Sequence, residues 1–359
     1  MKRILSVRGD QASDILGILK CVATAEGALE LHAIHRSTLE ALAHHLFQME
    51  IDVDQLQASI DDAGERVSDA GLRKEVMNMA GILPFLEEEN MEARIDAVAH
   101  LGAEFDFSKR FARELHGLCH HAIMELTICM LRPASLTSSR SFSGLTLKFA
   151  ESVIHADGDK KTLKRYERYE EMEDHIFGKV LTKYYRDNDF ELPGTPHAPF
   201  SNGLMYHDMH HVLQGYPTTP LGETCVLAFD EALINEDLGK TLIAYVAQFQ
   251  VGLLFDSSLP LWKNQFKPDI VIGAFERGGL CNTNFVKRGF DWTDLLEQPL
   301  NDVRDRFGIP LEGAIVKGPE DLWCGDMGLV GQRDSKDMVD QKMRWLQRLF
   351  TKLNVKHED

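Results

Sequence analysis

Two histidines and two carboxylates stand close together in the C-terminal half of the chain, in the run from His207 to Glu223. His207 and His211 are four residues apart, so on a helix they share one face about one turn apart. Asp208 lies at the flank of that face, offset by about 100°. Imidazole and carboxylate together suit zinc, and also accept iron(II) or manganese(II). The sequence predicts one divalent ion, bound by His207, Asp208, His211 and Glu223.

Local signals predict the elements that hold these residues. Gly215 is a helix stop, and Thr219 before Pro220 is a good N-cap followed by a proline at the first helical position. The short connection predicts an antiparallel helix hairpin. His211 precedes the stop by four residues and Glu223 follows the cap by four, which places each about 6 Å from the loop. A polar helix pair without an ion is the alternative, because HxxxH pairs are common on packed or exposed helices.

The rest of the chain predicts an all-α protein of two helical domains. Apolar residues recur at helical spacing in nearly every segment up to about residue 131. The stretch 132–143 breaks that period with a proline and a Ser/Thr cluster, so we place the first domain at 1–132 and the second at 133–359.

The first domain looks internally duplicated, as two helix pairs with acidic turns. The turns are Ala25-Glu26-Gly27 and Glu87-Glu88-Glu89. Over about residues 10–130 it resembles the tellurite-resistance TerB-like helical domain, in which an acidic turn recurs. That resemblance implies a role in metal or stress sensing. A purely structural helical module is the alternative, since acidic turns are usually only solvated.

The second domain resembles a family of ubiquinone (coenzyme Q) biosynthesis proteins, the one whose yeast founder was numbered fourth. Its signature is HDxxH, eleven residues and Glu, which His207 to Glu223 match. Further segments fit it, within about residues 140–315: Gly215-Tyr216, Pro220-Leu221-Gly222-Glu223, Gly289-Phe-Asp-Trp292, Pro299-Leu300, Val303-Arg304 and Phe307-Gly308-Ile309. The resemblance implies an all-α fold, a divalent metal (usually zinc), prenyl-lipid binding and replacement of a ring carboxyl group at C1 by hydroxyl.

We therefore expect a metal-dependent protein of prenylquinone biosynthesis, with enzymatic oxidative decarboxylation as the leading hypothesis. A prenyl-lipid carrier or scaffold for other pathway proteins is one alternative, and a metal- or stress-responsive regulator is another. Tyr216, Tyr245 and Phe249 are the candidate contacts of a prenyl lipid or prenylquinone precursor. Core packing is the more usual explanation for the helical stripe of the last two, because most such stripes are core.

Charge and cysteine content restrict the binding partners and the cellular compartment that we expect for this protein. A net charge of −17 argues against nucleic acid as a partner, because such binding depends on clustered Lys and Arg. The six cysteines form no CxxC pair, and the N-terminus has no apolar run of signal-peptide length. We expect a cytoplasmic protein. Peripheral contact with the inner face of a membrane, and a homo-oligomer, are both left open.

Overall fold

The computed structural model describes residues 6–57, 59–119, 158–188, 190–195, 202–234, 239–253, 262–287 and 290–323. Within these ranges the chain forms helices and no strand, which confirms the all-α class. The α-helices are α1 Gly9–Ala23, α2 Ala33–Ala41, α3 Ala63–Arg66, α4 Ala70–Ile82, α5 Met91–Glu104, α6 Lys109–Cys119, α7 Lys160–Glu170, α8 Phe177–Asp187, α9 Asn202–Gln214, α10 Pro220–Ile234, α11 Gly239–Gln250, α12 Pro268–Leu280 and α13 Leu300–Phe307.

In the N-terminal half, short non-α turns extend two of the helices. A π-helical segment, Leu42–Phe47, continues α2, and a 3-10 helix, Leu83–Leu86, continues α4. Leu83, Pro84, Phe85 and Leu86 are all buried, so this 3-10 turn is part of the core and not a surface loop. It carries the chain from α4 directly to the acidic turn at Glu87.

In the C-terminal half, α10 and α12 share the most extensive contact of the described helix pairs. Gly278 of α12 lies against the backbone of α10, where an added Cβ would stand only 2.3 Å from the Phe229 carbonyl oxygen. A residue larger than glycine would therefore force the two backbones apart. Helix α9, which carries the predicted histidines, packs against α8, α10 and α13.

The described helices of the two predicted domains pack against each other. Helices α11 and α12 contact α4 and α2, and the buried apolar residues of both halves form one core. His45 bonds Asp269 and Glu276 of α12, each at 2.9 Å. The amide of Gln250 donates to the Leu86 carbonyl at 3.0 Å. The predicted boundary at 132–143 lies outside the described residues, so two separate domains remain a prediction.

Length and polarity rule out a membrane span among the described helices, because none is both long enough and apolar enough to cross a bilayer.

Candidate metal centre

The helix ends around the predicted site are where the sequence places them. Helix α9 ends at Gln214, and Gly215 follows it with φ +82°, its N–H donating to the His211 carbonyl at 2.9 Å. An added Cβ on Gly215 would lie 2.4 Å from the Val316 carbonyl oxygen, so glycine is needed here for two reasons. Helix α10 starts at Pro220, and the Thr219 hydroxyl accepts the Gly222 N–H at 3.0 Å.

Three of the four predicted ligands converge on one point. Nε2 of His207 lies 3.0 Å from a carboxylate oxygen of Glu223, and Nε2 of His211 lies 3.3 Å from the other oxygen. The two Nε2 atoms are 3.1 Å apart. Ligands at about 2.0 Å from a tetrahedral zinc ion are separated by about 3.3 Å, so these side chains already have the spacing of a ligand set. The three residues could hold a metal ion.

The orientation of the His211 ring is fixed by the chain turn that follows it. Its Nδ1 lies 2.9 Å from the Tyr216 carbonyl, which can only accept, so Nδ1 carries the proton. The ring is fully buried, and Tyr184 packs against it with 5.7 Å between ring centroids. Its Nε2 faces His207 and Glu223, at 3.1 and 3.3 Å, and is the nitrogen available to a metal ion. Such a backbone bond to the far ring nitrogen is usual for histidines that bind metals.

The site is open on one side. The His207 and Glu223 side chains keep 32% and 27% of their exposure, whereas that of His211 has none. A bound ion would therefore be reachable from solvent through the His207–Glu223 side. Catalytic zinc sites require this kind of access, because they keep one coordination position for water or substrate.

The charges of the site favour a cation. Packing around the His207 ring lowers its pKa, but the hydrogen bond and charge of Glu223, with the charges of Asp208 and Asp230, outweigh this and raise the pKa to about 9. Burial raises the pKa of Glu223, but the imidazoles of His211 and His207 hold it well below its usual range. Glu223 is therefore ionised at neutral pH and shares a proton with His207, which a metal ion would displace.

Asp208, the fourth predicted ligand, lies beside this group and is bonded elsewhere. Its carboxylate accepts the hydroxyls of Tyr185 at 2.7 Å and Tyr184 at 3.2 Å, both from α8. Burial raises the pKa of Asp208, against the charges of His207 and His211 and the two hydroxyl bonds, which lower it. The structure brings His207, His211 and Glu223 together without Asp208. Metal binding by Asp208 itself remains a prediction.

Two buried arginines secure the C-terminal end of α9, and motif reasoning did not assign either a structural role. Arg304 donates to the carbonyls of Leu213 and Val212, both at 2.9 Å, and Arg277 donates to that of Gln214 at 2.9 Å. These are last-turn carbonyls without partners inside the helix, at its negative end. For Arg277 the sequence does contain a signal: it falls within the apolar helical pattern of residues 268–280, which predicts that its side chain is buried.

The three residues predicted to contact lipid, Tyr216, Tyr245 and Phe249, pack against other side chains of the protein. Tyr216 is fully buried, and its hydroxyl accepts a hydrogen bond from Arg277. Phe249 is also buried and contacts Tyr245 edge-on, with 5.5 Å between ring centroids. Tyr245 itself is half-buried. Whether Tyr216, Tyr245 or Phe249 contacts a lipid is not tested by this packing and stays a prediction.

Comparisons of the chain with protein-family models, with curated proteins and with solved structures found no match.

Proposed function

We propose that this protein is a metal-dependent enzyme of prenylquinone biosynthesis that acts on a prenylated aromatic ring bearing a carboxyl group. The observation that supports it is the convergence of His207, His211 and Glu223 on one point that is partly open to solvent. A site closed by four protein ligands would favour a structural ion, whereas three ligands and an opening favour exchange with substrate. The motif resemblance supplies the substrate class.

The donor set fits a divalent ion, with zinc as the first choice. His207, His211 and Glu223 would hold it, and Asp208 would join them only by leaving its tyrosine partners. Two imidazoles and an oxygen ligand also suit iron(II) and manganese(II). When bound, the ion would supply Lewis-acid stabilisation of negative charge on a substrate oxygen.

Asp208 is the candidate for proton transfer. It lies next to His207 in the chain, it is 5% exposed, and burial raises its pKa. The hydroxyls of Tyr184 and Tyr185 hold the carboxylate in place and can pass a proton to or from it. In the proposed reaction the ring–carboxyl bond breaks, CO₂ leaves and a C–O bond forms. This is a two-electron oxidation: water supplies the oxygen of the new C–O bond, and dioxygen, the oxidant we propose, takes up the two electrons and two protons to become hydrogen peroxide.

Bound lipid is the first test. Purified full-length protein would be extracted with organic solvent and the extract analysed by mass spectrometry. A prenylated ring that still carries its carboxyl group supports the enzyme. Mature quinone instead supports a prenyl-lipid carrier, and an extract without prenyl lipid contradicts both and favours the regulator.

Complementation is the second test. Glu223→Gln and Asp208→Asn keep side-chain size but remove a charge, and they would be expressed in cells lacking their own member of the quinone family. We expect folded protein that binds prenyl lipid, with quinone production lost in at least one of the two variants. Asp302→Asn, an exposed carboxylate on α13, is the control and should complement. Full complementation by both site variants would contradict catalysis.

A further inference from the structure

A second group of two histidines and a glutamate lies in the N-terminal half. His32 and His35 stand at the start of α2, and Glu87 directly follows the 3-10 helix that extends α4. One potential ligand atom from each side chain lies within 4.8 Å of the other two. The histidines are three residues apart, which places them on the same side of the first helical turn. Only the tertiary structure brings Glu87 to them.

His35 is the residue that suggests a ligand. Its side chain is fully buried, and its Nε2 lies 2.9 Å from the Leu83 carbonyl, so Nε2 carries a proton. Its Nδ1 is buried and has no hydrogen-bond partner. A buried N–H without an acceptor is costly, so the neutral ring with a lone pair on Nδ1 is the stable form. A carbonyl bond on one nitrogen and a free lone pair on the other is how metal-binding histidines are prepared.

His32 is the exposed member of the group. Its side chain is 52% exposed, and its Nε2 lies 4.0 Å from an oxygen of Glu87. Its Nδ1 caps α2 by accepting the Ile34 N–H at 3.4 Å, a long bond at an exposed helix end. If Nε2 bound an ion, the ring proton would move to Nδ1 and this bond would be lost. The cost is small because water can satisfy the exposed Ile34 N–H.

Glu87 is held by a buried arginine. Arg94 donates to one carboxylate oxygen of Glu87 at 2.5 Å and to the carbonyls of Ala23 and Glu89 at 2.9 and 2.8 Å. The other oxygen of Glu87 is the one that faces His32. Arg94 therefore orients the carboxylate, although its charge also weakens the attraction of the group for a cation.

A cleft of about 850 Å³ gives access to the group. His32 and Glu87 line it on the side of the N-terminal half, and Gln250, Lys263 and Lys267 line it on the side of the C-terminal half. The cleft is large enough for a small polar molecule beside the imidazole and carboxylate. Its lining carries both signs of charge, because Glu88 and Glu89 also face it and Lys263 pairs with Glu88.

We propose that His32, His35 and Glu87 form a second divalent-metal site, of the zinc type, which borders this cleft through His32 and Glu87. It is separate from the site at His207, His211 and Glu223 and does not depend on the function proposed for that site. Rotation of the exposed His32 ring brings the third ligand into place, since the other two side chains are held by Leu83 and Arg94.

The test is a zinc titration of the full-length chain after chelator treatment, in competition with a chromogenic chelator. The His211→Ala background removes the first site. We expect one tight equivalent in that background, weakened about tenfold or more by adding His32→Ala or Glu87→Gln. His100→Ala is the matched control, because His100 forms an exposed pair with Glu26 at 3.0 Å to which no described residue adds a third ligand.

Circular dichroism would confirm that each variant is folded. His35→Ala removes a buried side chain and can fail to fold, so the zinc affinities of His32→Ala and Glu87→Gln decide the test. The proposal is overturned if His211→Ala binds no zinc, or if His32→Ala and Glu87→Gln bind it as tightly as the His100→Ala control.

Discussion

The two His–Glu groups contain the same residue types but differ in what surrounds the carboxylate. Glu223 contacts both imidazoles of its group, at 3.0 and 3.3 Å. Glu87 gives one oxygen to Arg94 at 2.5 Å, and its other oxygen lies 4.0 Å from His32. The first group is therefore already assembled, and the second has to close around an ion.

The competitor for the ion also differs between the groups. In the first it is a proton, because Glu223 and other acidic neighbours raise the pKa of His207 to about 9. In the second, burial and the charge of Arg94 lower the pKa of His35 to about 4, so its ring is neutral at physiological pH, but Arg94 repels a cation. The comparison shows that burial and neighbouring charges, more than ligand types, decide the protonation state of a His–Glu group.

The largest expected effect is the loss of the first site in His211→Ala. The change removes the one ligand that is fully buried and oriented by the Tyr216 carbonyl. We expect zinc affinity at this site to fall by more than about 100-fold, measured by elemental analysis and competitive titration. His44→Ala, an exposed histidine, is the control. If both His211→Ala and His207→Ala bound as much zinc as the wild-type chain, the assignment of this site would be wrong.

Arg304→Met should cause the next largest effect, on stability. It leaves the Val212 and Leu213 carbonyls without their donor in a buried setting. At about 1–3 kcal/mol for each unsatisfied group, we expect a loss of about 3 kcal/mol in the free energy of unfolding. Urea denaturation measures it, with Arg306→Met on the exposed face of the same helix as control. Equal stability of the two variants would mean that water replaces Arg304.

The pH dependence of zinc binding should separate the two groups. Because the pKa of His207 is raised to about 9, a proton occupies the first site below that pH and must leave when zinc binds. Its affinity should rise about tenfold per pH unit between pH 6 and 8. His35, with its pKa lowered to about 4, adds no such dependence to the second site.

Chelator-buffered titrations at several pH values would measure this, in the His32→Ala chain for the first site and in the His211→Ala chain for the second. A flat profile for the first site would contradict the proton competition.

Asp208→Asn should have the smallest effect on zinc affinity. The Asp208 carboxylate bonds Tyr184 and Tyr185, so its loss should change affinity less than about tenfold through the environment of His207. A fall of more than about 100-fold would instead make Asp208 a direct ligand, as the motif predicts. The first group would then have four ligands against three in the second. Isothermal titration of the wild-type and Asp208→Asn proteins with zinc decides between these outcomes.

Local rules accounted for much of the first site. The i to i+4 spacing puts His207 and His211 on one face, and Gly215 and Thr219 set the helix ends that bring Glu223 opposite them. Each of these depends on interactions within about one helical turn, which a sequence displays directly. The all-α class followed in the same way from helical periodicity over most of the chain.

Tertiary structure decided what lies between distant segments. It placed the hydroxyls of Tyr184 and Tyr185 on Asp208, and Arg304 on the end of α9. It also brought Glu87 within reach of His32, from more than fifty residues away. Spacing could not show these contacts, because they depend on how whole helices pack and on which buried polar group needs a partner. The motif therefore named a ligand set, while packing determined which of its members meet and supplied a second group that no motif describes.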